Sequence, residues 1–131
     1  MKLHLDSIKG RTADIIEAVM AAPEIPQDDG LQFKIRLAVE EVAENIVNYA
    51  YSEGDGWIEV NLEQREENLE IVFRDGGFPF NPLQKDDPDI TLSAEKRQIG
   101  GLGIFLCKQL MDSITYEYTD GCNVLKLGIC K

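Results

Sequence analysis

The sequence predicts an α+β fold, a two-layer sandwich in which helices gather on one face of a mixed, mainly antiparallel sheet. Three observations carry that expectation. Strand patterns follow one another in pairs joined by short polar links, as antiparallel hairpins do. Helical periods stand apart from those pairs, so the strands are not threaded by βαβ crossovers. The length of 131 residues is the usual size of one domain and enough to bury a core, so 1–131 is expected to be a single domain.

Each element follows from its own pattern. "KLHLD" alternates like a short strand, polar on every second position as an edge strand would be. From Arg11 to Ala22, Ile15, Ile16, Val19 and Met20 recur at helical spacing, and the prolines of "APEIPQDDG" end the run. Asp28 or Asp29 can cap a second helix from about Leu31 to Tyr51. At 100° per residue, Leu31, Ile35, Ala38, Val42, Ile46 and Tyr49 share one side of it, while Lys34, Glu41, Asn45 and Asn48 share the other. "WIEVNLEQ" and "NLEIVFRD" form a hairpin. Residues 76–101 then lack a sustained period, and loops of that length inside a domain are functional or disordered. "GLGIFLCKQLMDS" is a helix opening at glycines, and "ITYEYTDGCNVLKLGIC" is two strands around a "TDG" turn.

Composition narrows the partners. The chain is 44% hydrophobic and 28% charged, as ordinary globular proteins are. Lys plus Arg total 13 against 24 for Asp plus Glu, a net charge of -11. Phosphate backbones and anionic membranes repel such a chain, which leaves a basic protein surface as the better partner. No apolar run approaches a bilayer span, and the charged N-terminus does not read as a signal peptide. Cys107, Cys122 and Cys130 make no close-spaced ligand pair, and with the single His4 on a strand no zinc site is expected. An odd count of cysteines fits the reducing cytoplasm.

Three motifs can carry chemistry, and each has a plainer alternative. Glu41 and Asn45 lie one turn apart and can converge on one small object. An amide oxygen suits Mg²⁺ and a carboxylate can act as a base, although a solvated helix face would look the same. Asp75 ends a strand beside Gly76 and Gly77, where it can accept a hydrogen bond from a buried amine or simply start a turn. Gly100–Gly103 open a helix whose N-terminus favours a phosphate, or merely turn the chain. No Walker A lysine follows them.

Taken in order, a Glu-x-x-x-Asn helix, a hairpin ending in Asp-x-Gly, a long loop and Gly-x-Gly at a helix start resemble the anti-sigma-factor serine kinases. These form a branch of the GHKL ATPase superfamily, with the Bergerat, histidine-kinase-like ATP-binding fold. "EVAEN" resembles their N box, "DGGFPFNP" their G1 box and "GGLGIFLCKQLMD" their G2 box.

The resemblance implies roles for individual residues. Asn45 corresponds to the Mg²⁺-holding asparagine and Glu41 to the general base. Asp75 corresponds to the carboxylate that binds the adenine amine, and Gly77 gives the base room. Gly101 and Gly103 lead into the helix beneath the phosphates. The loop from about Phe78 to Gly100 would be an ATP lid, with Arg97 as a phosphate contact.

For the whole chain, the resemblance implies a cytoplasmic ATP- and Mg²⁺-dependent serine kinase. It would hold a sigma factor, phosphorylate a STAS-type antagonist and act as a homodimer. The alternative is a nucleotide-dependent binding module without kinase activity. Tyr49 stands where many relatives have His, and Cys122 and Asn123 stand where Gly-Thr is common.

Overall fold

The computed structural model describes residues 1–51, 56–84 and 101–131. Its elements run β1 (Lys2–Ser7), α1 (Thr12–Met20), α2 (Asp29–Asn45), a π turn (Ile46–Ala50), β2 (Gly56–Gln64), β3 (Asn68–Asp75), a short 3₁₀ turn (Pro82–Gln84), α3 (Gly101–Leu110), β4 (Ser113–Thr119) and β5 (Cys122–Cys130). The strands make one five-stranded sheet in the order β1-β2-β3-β5-β4. Every ladder between described strands is antiparallel, so the expected mixed sheet resolves to its antiparallel form.

Local chemistry sets the boundaries. Asp28 caps α2 by accepting the Leu31 N–H at 2.8 Å. The β4–β5 hairpin turns through Asp120 and Gly121, both at positive φ (54° and 74°). That is the two-residue turn whose twist matches flanking antiparallel strands. Residues 111 and 112 fall outside α3, which stops at Leu110, short of the sequence expectation.

The core lies between the sheet and the helices. Ile58, Val60 and Leu62 of β2, Leu69, Ile71 and Phe73 of β3, and Leu125, Leu127 and Ile129 of β5 point to one face. They pack against Ile15, Ile16 and Val19 of α1 and Ile35, Val39 and Val42 of α2. Burying each large aliphatic or aromatic side chain contributes about 1.5–3 kcal/mol. α2 lies in contact with both α1 and α3. No helix among the described residues is long and apolar enough to cross a membrane.

One expectation about α2 fails at its end. Tyr49, placed by a 100° period on the apolar side, is 49% exposed. The last turn is π-helical, so it carries more residues per turn and the α-helical spacing no longer holds beyond Asn45. Tyr49 instead stacks on Phe80, with ring centroids 5.7 Å apart. Ala50 turns inward, and its carbonyl accepts the Phe78 N–H at 2.8 Å. The π turn thus binds the end of α2 to the chain that leaves β3.

Candidate functional site

Asp75 continues the inward alternation of Leu69, Ile71 and Phe73, which carries a carboxylate onto the core face at the end of β3. It is only 3% exposed. Its cross-strand partner on β5 is Asn123, itself buried and the inward continuation of Leu125 and Leu127. The Asn123 Nδ2 donates to Asp75 Oδ1 at 2.9 Å, and the Gly77 N–H donates to the same oxygen at 2.9 Å. Burial pushes the Asp75 carboxyl above its ordinary value, and those two hydrogen bonds pull it partly back.

The turn after β3 is fastened from two sides. Gly77 lies so close to the Ala50 carbonyl that a Cβ there would overlap it, which makes glycine a steric requirement. The Tyr51 hydroxyl accepts the N–H groups of Gly76 (2.9 Å) and Trp57 (3.1 Å) and donates to the Trp57 carbonyl (2.6 Å). One phenol therefore ties the start of β2 to the residue after Asp75.

Asn45 and Asp75 meet at one cavity, whose lining also includes Ile46, Phe80, Tyr116 and Asn123. Its volume is about 20 Å³, room for about one water and none for a purine ring. Phe80 and Pro82, from the segment after the glycine turn, help close it. The Asn45 amide makes no hydrogen bond among the described residues.

Glu41, one turn before Asn45, is half-buried where α2 meets α3. A Cβ at Gly103 would overlap its carboxylate, so the glycine is what lets α3 approach. Burial, and then the neighbouring carboxylates Glu40 and Glu44, hold the Glu41 carboxyl above its ordinary value. The Cys107 thiol beneath is pushed up to about 12, first by burial and then by Glu41. Its Sγ donates weakly to the Ala38 carbonyl at 3.7 Å, as a core thiol does.

Among the described residues no group of three His, Cys, Asp or Glu side chains could hold a metal. A single amide oxygen with one carboxylate a turn away suits Mg²⁺ only when the cation brings its own waters and phosphate ligands.

The structure therefore brings Asn45, Asp75 and Gly77 around one cavity and its border, and places Glu41 against Gly103. Gly101 is the first residue of α3. Arg97 and the lid residues 85–100 lie outside the described residues. Tyr51, Phe80 and Tyr116 shape the site without having been singled out from the sequence. Strand alternation in "ITYEYT" places Tyr116 inward with Ile114, a signal that was legible. Nothing local marks Tyr51 or Phe80.

Comparison with known proteins gives a concordant result. The family described as histidine kinase-like ATPase domain matches residues 4–129. The serine/threonine-protein kinase BtrW of Bordetella bronchiseptica is 31% identical over 98 residues, covering 74% of this chain and 69% of that protein. The serine-protein kinase RsbW of Bacillus cereus is 38% identical over 95 residues, 70% of this chain; the match spans 59% of that relative's length. The catalytic domain of the histidine kinase ThkA has the same fold, with a TM-score of 0.56 at 15% identity over 100% of this chain and 98% of that one.

Proposed function

The chain belongs to the histidine kinase-like ATPase domain family, and from that premise we propose that it binds ATP with Mg²⁺ and phosphorylates a serine of a partner protein. The observation that carries the proposal is the shared cavity of Asn45 and Asp75. A buried acceptor and an amide with no hydrogen bond among the described residues, from elements far apart in sequence, converge there. The relatives named as serine kinases support the same reading.

In this proposal Asp75 accepts the adenine amine, and Gly77 keeps side-chain bulk away from the base. Bound through the Asn45 amide oxygen, Mg²⁺ supplies charge neutralisation for the phosphates. The N-terminal amides of α3, from Gly101 and Gly103, face the phosphate oxygens, where the helix dipole favours negative charge. Arg97 is proposed as a further phosphate contact.

Glu41 acts as the general base, and its raised pKa makes it a stronger one. It takes the proton of the serine hydroxyl as the Oγ–Pγ bond forms. The bond from Pγ to the bridging oxygen breaks and ADP leaves with that electron pair. Because the cavity has room for about one water, Phe80 and Pro82 in its lining would have to shift for a base to enter.

The biological reading follows the resemblance of the sequence motifs to the anti-sigma-factor serine kinases. The protein is proposed to hold a sigma factor in the cytoplasm, as a homodimer, and to phosphorylate a STAS-type antagonist so that it no longer releases that factor. The test is transfer of label from γ-labelled ATP to a serine of candidate STAS-domain proteins. Label on one serine, abolished in Asn45→Ala, is the expected result. Nucleotide and partner binding without any transfer would instead identify a nucleotide-dependent binding module.

A further inference from the structure

We infer that Asn123 is the positioning residue that sets selectivity for a base bearing a 6-amino group, by fixing the direction in which the free oxygen of the Asp75 carboxylate meets a ligand. The inference rests on the reading of the cavity as an ATP site. A side-chain amide has two donor hydrogens and two acceptor lone pairs. In Asn123 all four are used within the protein. Its Nδ2 donates to Asp75 Oδ1 at 2.9 Å and to the Phe78 carbonyl at 2.6 Å. Its Oδ1 accepts the Phe80 N–H at 3.0 Å and the Tyr116 hydroxyl.

This count decides the role. With no valence left, Asn123 does not itself read a base; it acts through Asp75. The amide orientation is also determined, because the flipped form would set its oxygen against two acceptors and its NH₂ against the Phe80 N–H. Asp75 Oδ1 already takes two donors, from Asn123 and Gly77, so the carboxylate cannot tilt about its Cβ–Cγ bond without weakening both, and a half-turn merely exchanges two equivalent oxygens. Oδ2 accepts no hydrogen bond among the described residues. An ionised carboxylate only accepts, so Oδ2 favours a base presenting an amine and disfavours one presenting a carbonyl. A serine or threonine hydroxyl has a single hydrogen and cannot hold Asp75 and Phe78 together.

The experiment compares calorimetric Kd values for ATP and for purine riboside triphosphate, which carries hydrogen in place of the 6-amine. Wild type should bind ATP tighter on the order of 10-fold. Asn123→Ala should bring that ratio to about 1 while the analogue's own affinity holds, because only the aim of Oδ2 is lost. A merely structural role weakens both ligands equally and keeps the ratio, which overturns the inference, as does an unchanged ratio at unchanged affinity. If circular dichroism shows Asn123→Ala unfolded, Asn123→Ser decides: a reduced ratio supports the inference and a retained one overturns it. Wild type that binds both nucleotides equally also overturns it, while wild type that binds neither brings down the ATP-site reading beneath it.

Discussion

The Asp75 carboxylate and the Asn123 amide face each other across β3 and β5, joined at 2.9 Å although they lie 48 residues apart in the chain. Both are nearly sealed from solvent. A buried carboxylate with one oxygen doubly bonded to the protein is an acceptor held ready for a donor. Asp75→Asn keeps the shape and can present an NH₂ where the amine would arrive. ATP binding should weaken by about 1–3 kcal/mol with the fold intact. Titration calorimetry beside circular dichroism measures both, and an unaltered affinity would remove Asp75 from the site.

The same residue sets a pH dependence. Burial raises the Asp75 pKa above its ordinary 3.8, so the folded state disfavours the ionised form. Its contribution to stability is then fully present below the unfolded value and is lost as pH rises through the folded one. Urea unfolding of wild type should therefore lose stability relative to Asp75→Asn across that acidic window, with the gap level above it. A gap that does not vary with pH would contradict the raised pKa.

Glu41 and Asn45 should fail in different ways. Glu41→Gln preserves packing against Gly103 but cannot take a proton, so ATP affinity should hold while transfer slows by on the order of 10²–10⁴. Asn45→Ala should lose the Mg²⁺-dependent part of binding. Glu44→Ala should leave ATP and Mg²⁺ binding unchanged: among the described residues its side chain receives the Asn48 amide at 3.0 Å, and its charge reaches the site only through the Glu41 pKa. Equal transfer rates in wild type and Glu41→Gln would reduce Glu41 to surface charge.

Gly103→Ala tests the α2–α3 contact. Alanine gains about 1 kcal/mol of helix propensity over glycine, but overpacking a close contact costs about 1–3 kcal/mol. The new Cβ meets the Glu41 carboxylate, so overpacking should win and the variant should melt lower. In a Glu41→Ala background the collision is gone, and Gly103→Ala should become neutral or stabilising. Additive effects in that double-mutant cycle would mean the two residues do not touch.

Tyr51→Phe removes the acceptor of two backbone N–H groups. Leaving them short of a partner should destabilise the protein by about 1–3 kcal/mol. It should also loosen the turn that follows Asp75, so hydrogen exchange at Gly76 should quicken more than at Leu69. Uniform exchange changes would argue against a local clamp.

Backbone periodicity determines which face a side chain takes, and that much was readable from the sequence. The alternation Leu69, Ile71, Phe73, Asp75 turns the carboxylate inward, and the four-residue spacing of Glu41 and Asn45 puts them on one side of α2. The hairpins, the Asp28 cap and the Asp120–Gly121 turn are equally local, because dihedral preferences and near-neighbour hydrogen bonds set them. Only the tertiary structure decided what those faces meet. Asn123 opposes Asp75 because the β3–β5 register is set by the summed packing of a whole strand face, and no local pattern encodes that register. Gly103 meets Glu41 because α3 docks on α2, and Tyr49 turns outward because the π turn, bonded through Ala50 to Phe78, breaks the period that would have buried it. Such pairings arise from many weak contacts between distant segments.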